Sequence, residues 1–205
     1  MNSLKQIKYL FVDLDRWNYA SLKLPVLFMP IVLLIYPASW TVLIYRVSRA
    51  IYLMNFLPLK YLFFVPIFFI KRFIDAFMSN EISEKADIGP GLYIAHSGSI
   101  VIGAGTKAGK NFSIRQGVTF GGGSEKMLNH PIVGDNVIVG AGAKVIGGVK
   151  LGSDVMIGAN AVVVKDLPNN SRAVGIPAKI INNNGVYGIK VRNHFWKCYY
   201  DISSN

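Results

Sequence analysis

Residues 133–168 read VGDNVI VGAGAK VIGGVK LGSDVM IGANAV VVKDLP, which are six hexads in one phase. The first position of every hexad is aliphatic, and the fifth is always aliphatic or alanine. Glycine occupies the second position in four of the six hexads. An internal repeat of fixed period determines the architecture before other signals do, because each repeat folds only against its neighbours.

The length of the hexad predicts short strands joined by tight corners. Six residues are too few for a helix and a turn, and positions four apart on a strand point to the same side of it. The glycines suit corners, where the backbone needs positive φ or a close approach to another chain segment. Coils stacked about 4.8 Å apart would bury one continuous apolar column. The stretch therefore predicts a parallel β-helix.

The same period extends towards the N-terminus. Isoleucine recurs every six residues at 82, 88, 94 and 100, after which the phase slips by two residues. The pattern then resumes with four further apolar positions: Ile102, Ala108, Ile114 and Phe120. It breaks at residues 121–131, which read GGGSEKMLNHP and are predicted to form a loop extruded from the β-helix. Loops carried by a rigid scaffold often hold functional residues.

Residues 1–80 show no six-residue period and are rich in apolar and aromatic side chains. They predict helices broken at the prolines, because proline lacks the N–H that a helix interior needs. These prolines are Pro25, Pro30, Pro37, Pro58 and Pro66. The uncharged run from Leu24 to Tyr45 is long enough to cross a bilayer, whereas the run from Tyr61 to Ile70 is not.

Three interpretations of this apolar region stay open. Its helices lie in a membrane interface, or they form a soluble oligomerisation domain, or one of them spans the bilayer. Basic residues between the apolar runs suit an interface that contains anionic lipids. A single crossing is the least attractive of the three, because it would place the β-helix on the opposite side of the membrane from basic residues that favour the cytoplasmic side: Lys5, Lys8, Arg16 and Lys23.

The overall charge and the cysteine count restrict the class of protein. A formal net charge of +11 favours polyanionic partners, such as phosphate groups, acidic lipid head groups, acidic glycans or nucleic acid. No zinc-finger spacing or nucleic-acid motif is present, so nucleic-acid binding is not expected. The single cysteine, Cys198, precludes a disulfide within the chain and fits a reducing compartment. No cleavable signal peptide is evident, so we expect a cytoplasmic location.

Four stretches carry a resemblance to a known family. They are EISEKADIGPGLYIAH at 81–96, SIRQGVTFGG at 113–122, NHPIVGDNVIVGAGAKVIGGV at 129–149 and AVGIPAKII at 173–181. Through these four stretches, residues 81–181 resemble the hexapeptide-repeat acyltransferases of the serine-acetyltransferase-like branch. The resemblance implies a mainly β fold, a left-handed parallel β-helix with three hexads to a coil. It also implies a homotrimer that binds acetyl-CoA and the acceptor between neighbouring subunits. Residues 1–80 would form an apolar helical region, and residues 182–205 a C-terminal tail without an assigned role.

Acetyl transfer to a hydroxyl needs a base for the hydroxyl proton, and it needs no metal. The resemblance assigns that role to His96, which lies in the IAHSGS segment. It assigns the carboxylate that orients this base to Glu81, where serine acetyltransferases carry aspartate. His130, in the extruded loop, corresponds to the second active-site histidine of the family. His194 lies outside the repeats and is not expected to act.

The acetyl-CoA site is expected along one edge of the β-helix. Small residues at the starts of coils let the pantetheine arm lie against the backbone, and lysines meet the phosphates. The residues expected to bind acetyl-CoA are Gly121, Gly122, Ala141, Gly142, Ala159, Lys165 and Lys179. The resemblance places the 171–181 segment beside the CoA tail.

The acceptor is the least determined part of the prediction. Ala95 stands where serine acetyltransferases carry an aspartate that helps to hold serine, so serine is not the expected acceptor. The apolar N-terminus and the IRQGVTF run look like capsule, colanic-acid or O-antigen acetyltransferases. We therefore expect transfer to a sugar hydroxyl of a surface polysaccharide or its precursor, at the inner face of the cytoplasmic membrane. The alternatives are a serine O-acetyltransferase of cysteine biosynthesis and a non-catalytic β-helix scaffold at the membrane.

Overall fold

The computed structural model describes residues 3–17, 29–123 and 129–182. Four helices come first: α1 Ser3–Trp17, α2 Met29–Ile35, α3 Ala38–Tyr52 and α4 Leu57–Met78. Fifteen strands follow: β1 Asn80–Ile82, β2 Asp87–Ile88, β3 Tyr93–Ile94, β4 Ile100–Ile102, β5 Lys107–Ala108, β6 Ser113–Ile114, β7 Thr119–Gly121, β8 Ile132–Val133, β9 Ile138–Val139, β10 Lys144–Ile146, β11 Lys150–Leu151, β12 Met156–Ile157, β13 Val162–Val163, β14 Arg172–Val174 and β15 Lys179–Asn182.

The strands stack into three sheets that form the sides of a parallel β-helix. Sheet A has the order β1-β4-β7-β10-β13, sheet B has β11-β8-β5-β2, and sheet C has β15-β14-β12-β9-β6-β3. Each of the first four coils contributes one short strand to each sheet, and the fifth meets sheet B only through a bridge between Leu167 and Leu151. Every pairing is parallel except that of β14 with β15, which is antiparallel and ends the stack. The predicted fold class, mainly β with an N-terminal helical region, is confirmed.

The core of the β-helix consists of the aliphatic positions of the hexads. The first-position residues of residues 133–168 are at most 4% exposed, and their fifth-position residues at most 6%. Stacking therefore buries one column of Val, Ile, Leu and Ala side chains, as the alternation on short strands requires. Phe112 in the second coil and Phe120 in the third form an edge-to-face pair in this core, with ring centroids 5.2 Å apart.

The two-residue phase slip lies in the first coil, in the corner between β3 and β4. Ile100 and Ile102 are both buried and flank the exposed Val101, so the core includes the isoleucines on either side of the slip. The two additional residues therefore enlarge the corner at 95–99 and leave the strand register intact. Ile102 still pairs with Phe120 in the next coil.

The loop extruded from the β-helix is shorter than the predicted range 121–131. Gly121 still pairs with Ile146, and the carbonyl of Pro131 accepts a hydrogen bond of 3.1 Å from the Lys107 N–H. The ladder thus continues to Gly121 and resumes at Pro131. The tip of the loop and the tail, which contains His194 and Cys198, lie outside the described residues.

The helical region covers the lower end of the β-helix. The first coil has no coil beneath it, so its backbone groups need other partners. Arg46 donates to the carbonyls of Ile88 and Gly89 at 2.7 and 2.6 Å, and its guanidinium pairs with Asp13 at 2.7 Å. Asp13 in turn accepts from the N–H groups of Gly91 and Leu92 at 2.7 and 2.8 Å.

Tyr45 completes this polar cap. Its hydroxyl donates to the carbonyl of Ala86 at 2.9 Å and accepts from the Ile88 N–H at 3.2 Å. Burial raises the pKa of this hydroxyl, so it stays protonated and keeps its role as a donor. A set of side chains on α1 and α3 therefore supplies the hydrogen bonds that a preceding coil would have made.

The helix boundaries correct two details of the sequence-based prediction. Pro66 lies inside α4 and does not end it, whereas Pro58 stands in the first turn, where its missing N–H costs nothing. The uncharged run from Leu24 to Tyr45 is divided, because α2 ends at Ile35 and α3 begins at Ala38. Among the helices described, none combines the length and the apolar character needed to span a bilayer.

Candidate active site

His96 lies in the enlarged corner of the first coil, between sheet C and sheet A. Its side chain is exposed. The corner is held from above, because the Ala95 N–H donates to the Ile114 carbonyl at 3.1 Å and the Gly117 N–H donates to the Gly98 carbonyl at 2.7 Å. An exposed imidazole on a fixed backbone suits a base that must meet a substrate from outside the β-helix.

Glu81 lies on the outer face of β1, one coil beneath Val101. It lines an open cleft of about 170 Å³ between the first coil and the helices, together with Ser48, Phe68, Arg72 and Glu84. No hydrogen bond between the Glu81 and His96 side chains is present among the residues that the structure describes. The orienting role of Glu81 therefore stays a prediction.

The carboxylate of Asp75 on α4 lies within electrostatic range of Glu81. Burial raises the pKa of Asp75, its ion pair with Lys71 lowers it, and the negative charge of Glu81 raises it. Glu81 is thus a charged group at the junction of α4 and the first coil, on the same sheet face that His96 borders.

His130 lies on the opposite edge of sheet A, where sheet A turns into sheet B. Its ring lies close to the backbone of two glycines. A Cβ added to Gly105 would lie 2.3 Å from the His130 Cδ2, and a Cβ added to Gly103 would lie 3.1 Å from its Cε1. Any larger residue at 105 would displace the ring. The Nδ1 atom is buried and has no hydrogen-bond partner among the described residues. A buried ring nitrogen without a hydrogen-bond partner is uncommon and needs an explanation, and the functional role of His130 stays a prediction.

The structure does not bring His96 and His130 together within one subunit. His96 precedes β4, whereas Gly103 and Gly105, which adjoin the His130 ring, follow β4. The whole width of sheet A therefore separates the two histidines. A single site that used both histidines would need the edge of a second subunit.

The candidate acetyl-CoA residues divide between the same two edges, and this corrects the expectation of a single edge. Ala141, Gly142 and Ala159 lie on the edge of His96, in successive coils above it, and the Asn160 N–H donates to the Ala141 carbonyl at 2.8 Å. Gly121 and Gly122 lie on the edge of His130, because Gly121 ends β7 and Gly122 follows it, whereas the others precede a strand of sheet A. A Cβ on Gly122 would lie 3.4 Å from the His130 Cε1.

The two lysines are exposed at the upper end of the β-helix. Lys165 follows β13 on the edge of His130. Lys179 begins β15, beside Ala178, whose N–H donates to the Val162 carbonyl at 2.8 Å. Lys179 therefore tops the column of small residues that rises from His96, about five strand spacings or roughly 24 Å above it.

One buried polar residue at the site was missed by the sequence analysis. Asn80, the first residue of β1, accepts hydrogen bonds from the N–H groups of Gly98 and Ile100 and donates to Thr41. Its only signal in the sequence is a polar residue at a helix-to-strand junction. In the described part of the chain, no group of three or more His, Cys, Asp or Glu side chains is arranged to hold a metal ion.

Comparisons with known proteins agree with the β-helix fold. Residues 130–165 match the family described as bacterial transferase hexapeptide (six repeats). A serine acetyltransferase of Helicobacter pylori strain J99 is 44% identical over 154 residues, which are 75% of this chain and 86% of the relative.

Solved structures resemble the chain beyond the β-helix. The serine acetyltransferase of Brucella abortus in complex with coenzyme A superposes with a TM-score of 0.72 at 28% identity, covering 87% of this chain and 68% of its own. The Neisseria gonorrhoeae serine acetyltransferase in complex with serine gives 0.72 at 29% identity, covering 87% and 70%. A coverage of 87% exceeds the β-helix, so the likeness includes most of the helical region.

Proposed function

Because the chain belongs to the serine acetyltransferase family of hexapeptide-repeat enzymes, we propose that it transfers the acetyl group of acetyl-CoA to the hydroxyl of L-serine. The observation that carries this proposal is the edge on which His96 is exposed beneath a column of small residues topped by Lys179. That column offers a path for pantetheine and a cation for the phosphates.

The expectation of a polysaccharide acceptor is wrong. It rested on Ala95 and on the apolar N-terminus, but a serine acetyltransferase is 44% identical across 86% of its own length. A single missing carboxylate weakens the binding of an ammonium group, by about 1–3 kcal/mol, without changing the class of acceptor. The alternative of a non-catalytic scaffold is also set aside, because the chain is an acetyl-CoA-dependent acyltransferase.

In the proposed reaction, His96 removes the proton of the serine hydroxyl as its oxygen attacks the thioester carbonyl. The C–S bond then breaks, and the departing sulfur takes the proton from the imidazolium. The products are O-acetylserine and CoA, and the imidazole returns to its neutral form. Glu81 stabilises the imidazolium, and His130 contacts the acceptor or the developing charge.

The two histidines meet between neighbouring subunits of a homotrimer in this proposal. The edge of His96 on one subunit faces the edge of His130 on the next, because one subunit holds them on opposite sides of sheet A. The buried Nδ1 of His130, which has no partner among the described residues, supports the need for a further group there.

Mixed trimers test the shared site. The variants His96→Ala and His130→Ala should each be nearly inactive alone. Random reassembly of the two should restore about one quarter of wild-type activity, because one interface in four then carries both histidines. A mixture as inactive as its components would show that the site does not combine edges of two subunits.

The acceptor is tested by CoA release from acetyl-CoA. L-serine should give saturable release, whereas L-alanine, which lacks the hydroxyl, should give only the background hydrolysis. Ala95→Asp should lower the KM for serine by about 5- to 150-fold, since it restores a charged acceptor. Release that does not depend on serine would refute the proposed acceptor.

A further part of the proposal concerns α4, which we place on the inner surface of the cytoplasmic membrane. Only Lys71 and Asp75 of its 22 residues are buried. The six successive positions 61–66 are all exposed, and at 100° a residue they cover the full circumference of the helix. A protein partner covers one stripe of a helix, whereas lipid surrounds it.

The charges on α4 fit a helix that lies in one leaflet. The uncharged run from Tyr61 to Ile70 is about 15 Å long, half the thickness of the hydrocarbon core. Lys60 precedes this run and the exposed Arg72 follows it, so a cation stands at each end, at the level of lipid phosphates. Apolar burial and charge together therefore favour an anionic lipid surface over a second copy of the chain.

Flotation with vesicles tests this attachment. The full chain should bind phosphatidylcholine vesicles that contain phosphatidylglycerol more strongly than phosphatidylcholine alone. Phe73→Glu, at a side chain 72% exposed, should weaken binding, whereas Ile176→Glu, at a β-helix side chain 74% exposed, should not. A lipid-free oligomer that Phe73→Glu dissociates would instead assign the helix to contact between subunits.

A further inference from the structure

The side chain of Asn80 connects the corner of His96 to the helical region. It is 2% exposed and lies at the first residue of β1. Its Oδ1 accepts from the Gly98 N–H at 2.9 Å and from the Ile100 N–H at 3.3 Å. Its Nδ2 donates to the Thr41 hydroxyl at 3.0 Å.

Asn80 stands in for a coil that does not exist. In the higher coils, the N–H at this edge donates to the corner carbonyl of the coil below: Gly117 to Gly98, Gly142 to Gln116 and Asn160 to Ala141. The register of the strands makes Ser99 the first-coil counterpart of these donors, and the first coil has no corner beneath it. The carboxamide oxygen of Asn80 supplies an acceptor from below, for the N–H groups of Gly98 and Ile100 on either side of Ser99.

The corner of His96 needs this support more than the corners above it. It contains the two additional residues of the phase slip, and it combines φ of +122° at Gly98 with +54° at Ser99. The space beside Gly98 is open, because a Cβ added there would meet no atom within 4 Å. Packing against neighbouring side chains therefore does not hold the corner at Gly98. Its geometry depends on hydrogen bonds from the Asn80 side and from the second coil.

Thr41 fixes which way the amide of Asn80 points. It lies on α3, is 1% exposed, and its hydroxyl accepts the Nδ2 hydrogen. A rotated amide would place its NH₂ group against two backbone N–H donors, which is unfavourable. The orientation of the acceptor oxygen, and with it the corner, is thus coupled to α3.

We infer that Asn80 is a positioning residue for His96, and that Thr41 holds it in place. The inference rests on the proposed function, because it takes His96 as the base. Displacing a reacting group by about 1 Å is enough to cost two orders of magnitude in rate. Loss of Asn80 should therefore lower kcat while leaving the distant acetyl-CoA residues in place.

The test compares three variants of the full chain with wild type that has first been shown to turn over serine. Asn80→Leu removes the acceptor and should lower kcat by about tenfold to a hundredfold, with little change in the KM for acetyl-CoA. Asn80→Asp keeps the acceptor oxygen and should therefore keep most of the wild-type kcat. Val155→Ala, in the fourth coil, is a control for destabilisation and should keep its kcat below its melting temperature.

A second measurement does not depend on activity. Amide hydrogen exchange at residues 97–100 should accelerate in Asn80→Leu and, to a smaller extent, in Thr41→Val, but not in Val155→Ala. If Asn80→Leu is folded and has wild-type kcat and exchange, the positioning role is excluded. Inactive wild type would instead count against the proposed acceptor, and the exchange result would still report on the corner.

Discussion

The first coil of the β-helix and the coils above it satisfy their backbones in different ways. Above, each coil donates to and accepts from its neighbours through the main chain. Below, side chains of α1, α3 and β1 meet the free edge: Arg46, Asp13, Tyr45 and Asn80. The first coil also carries Glu81, on the outer face of β1, and His96, in the enlarged corner. The proposed chemistry therefore lies where the repeat is least regular.

The largest expected difference between these regions concerns Arg46. Arg46→Met should destabilise the fold by about 3–5 kcal/mol, because it leaves the buried carboxylate of Asp13 without its cation and two carbonyls without donors. Arg49→Met is the matched control, since its partner Asp87 is 44% exposed, and it should cost about 1 kcal/mol or less. Thermal or urea unfolding measures both. Equal losses for the two variants would refute the polar cap as the main anchor of the first coil.

An intermediate effect is expected at Glu81. In the proposed mechanism the charge of Glu81 stabilises the imidazolium of His96, so Glu81→Gln should lower kcat by about ten- to a hundredfold, the equivalent of one charged hydrogen bond. Glu84→Gln, in the same cleft but beyond the end of β1, should change kcat much less. Steady-state kinetics with acetyl-CoA and serine distinguishes them, and equal kcat values for the two variants would remove Glu81 from the reaction.

The smallest expected effect concerns the corner backbone. Ser99 adopts φ of +54°, whereas the corners of the higher coils place Asn or Asp in that region, at 111, 136, 154, 160 and 170. Asn and Asp tolerate left-handed backbone better than serine does. Ser99→Asn should therefore stabilise the protein by a few tenths to about 1 kcal/mol, as judged by the urea midpoint. A destabilised variant would mean that the serine side chain makes a compensating contact.

The repetitive part of the molecule was predictable from the sequence, and the polar junction was not. The period of six fixes the buried column from Ile82 to Leu167, because only one face of each strand points inward. Arg46 and Asp13 gave no comparable signal, since 33 residues separate them and only the tertiary fold brings them together. The same holds for Asn80 and Thr41.

The residues of the candidate site stay predictions, and the arrangement that the structure gives them could not be predicted from the sequence. His96 and His130 were identified through motifs, and their positions on opposite edges of sheet A follow only from the register of β4 and the loop. Ala95 led to the prediction of the wrong acceptor, because one substituted position was given more weight than the similarity of the rest of the chain. Local chemistry sets the affinity for a substrate group, whereas its identity depends on the complete site.

The central claim is that His96 serves as the base in acetyl transfer to L-serine. The most direct measurement is serine-dependent CoA release by the full chain and by His96→Ala, at a temperature where both are folded. We predict saturable release by wild type and a rate about 10²- to 10⁴-fold lower for the variant, with unchanged thermal unfolding. Wild-type protein that releases no CoA with serine, or a folded His96→Ala variant at full rate, would contradict the account.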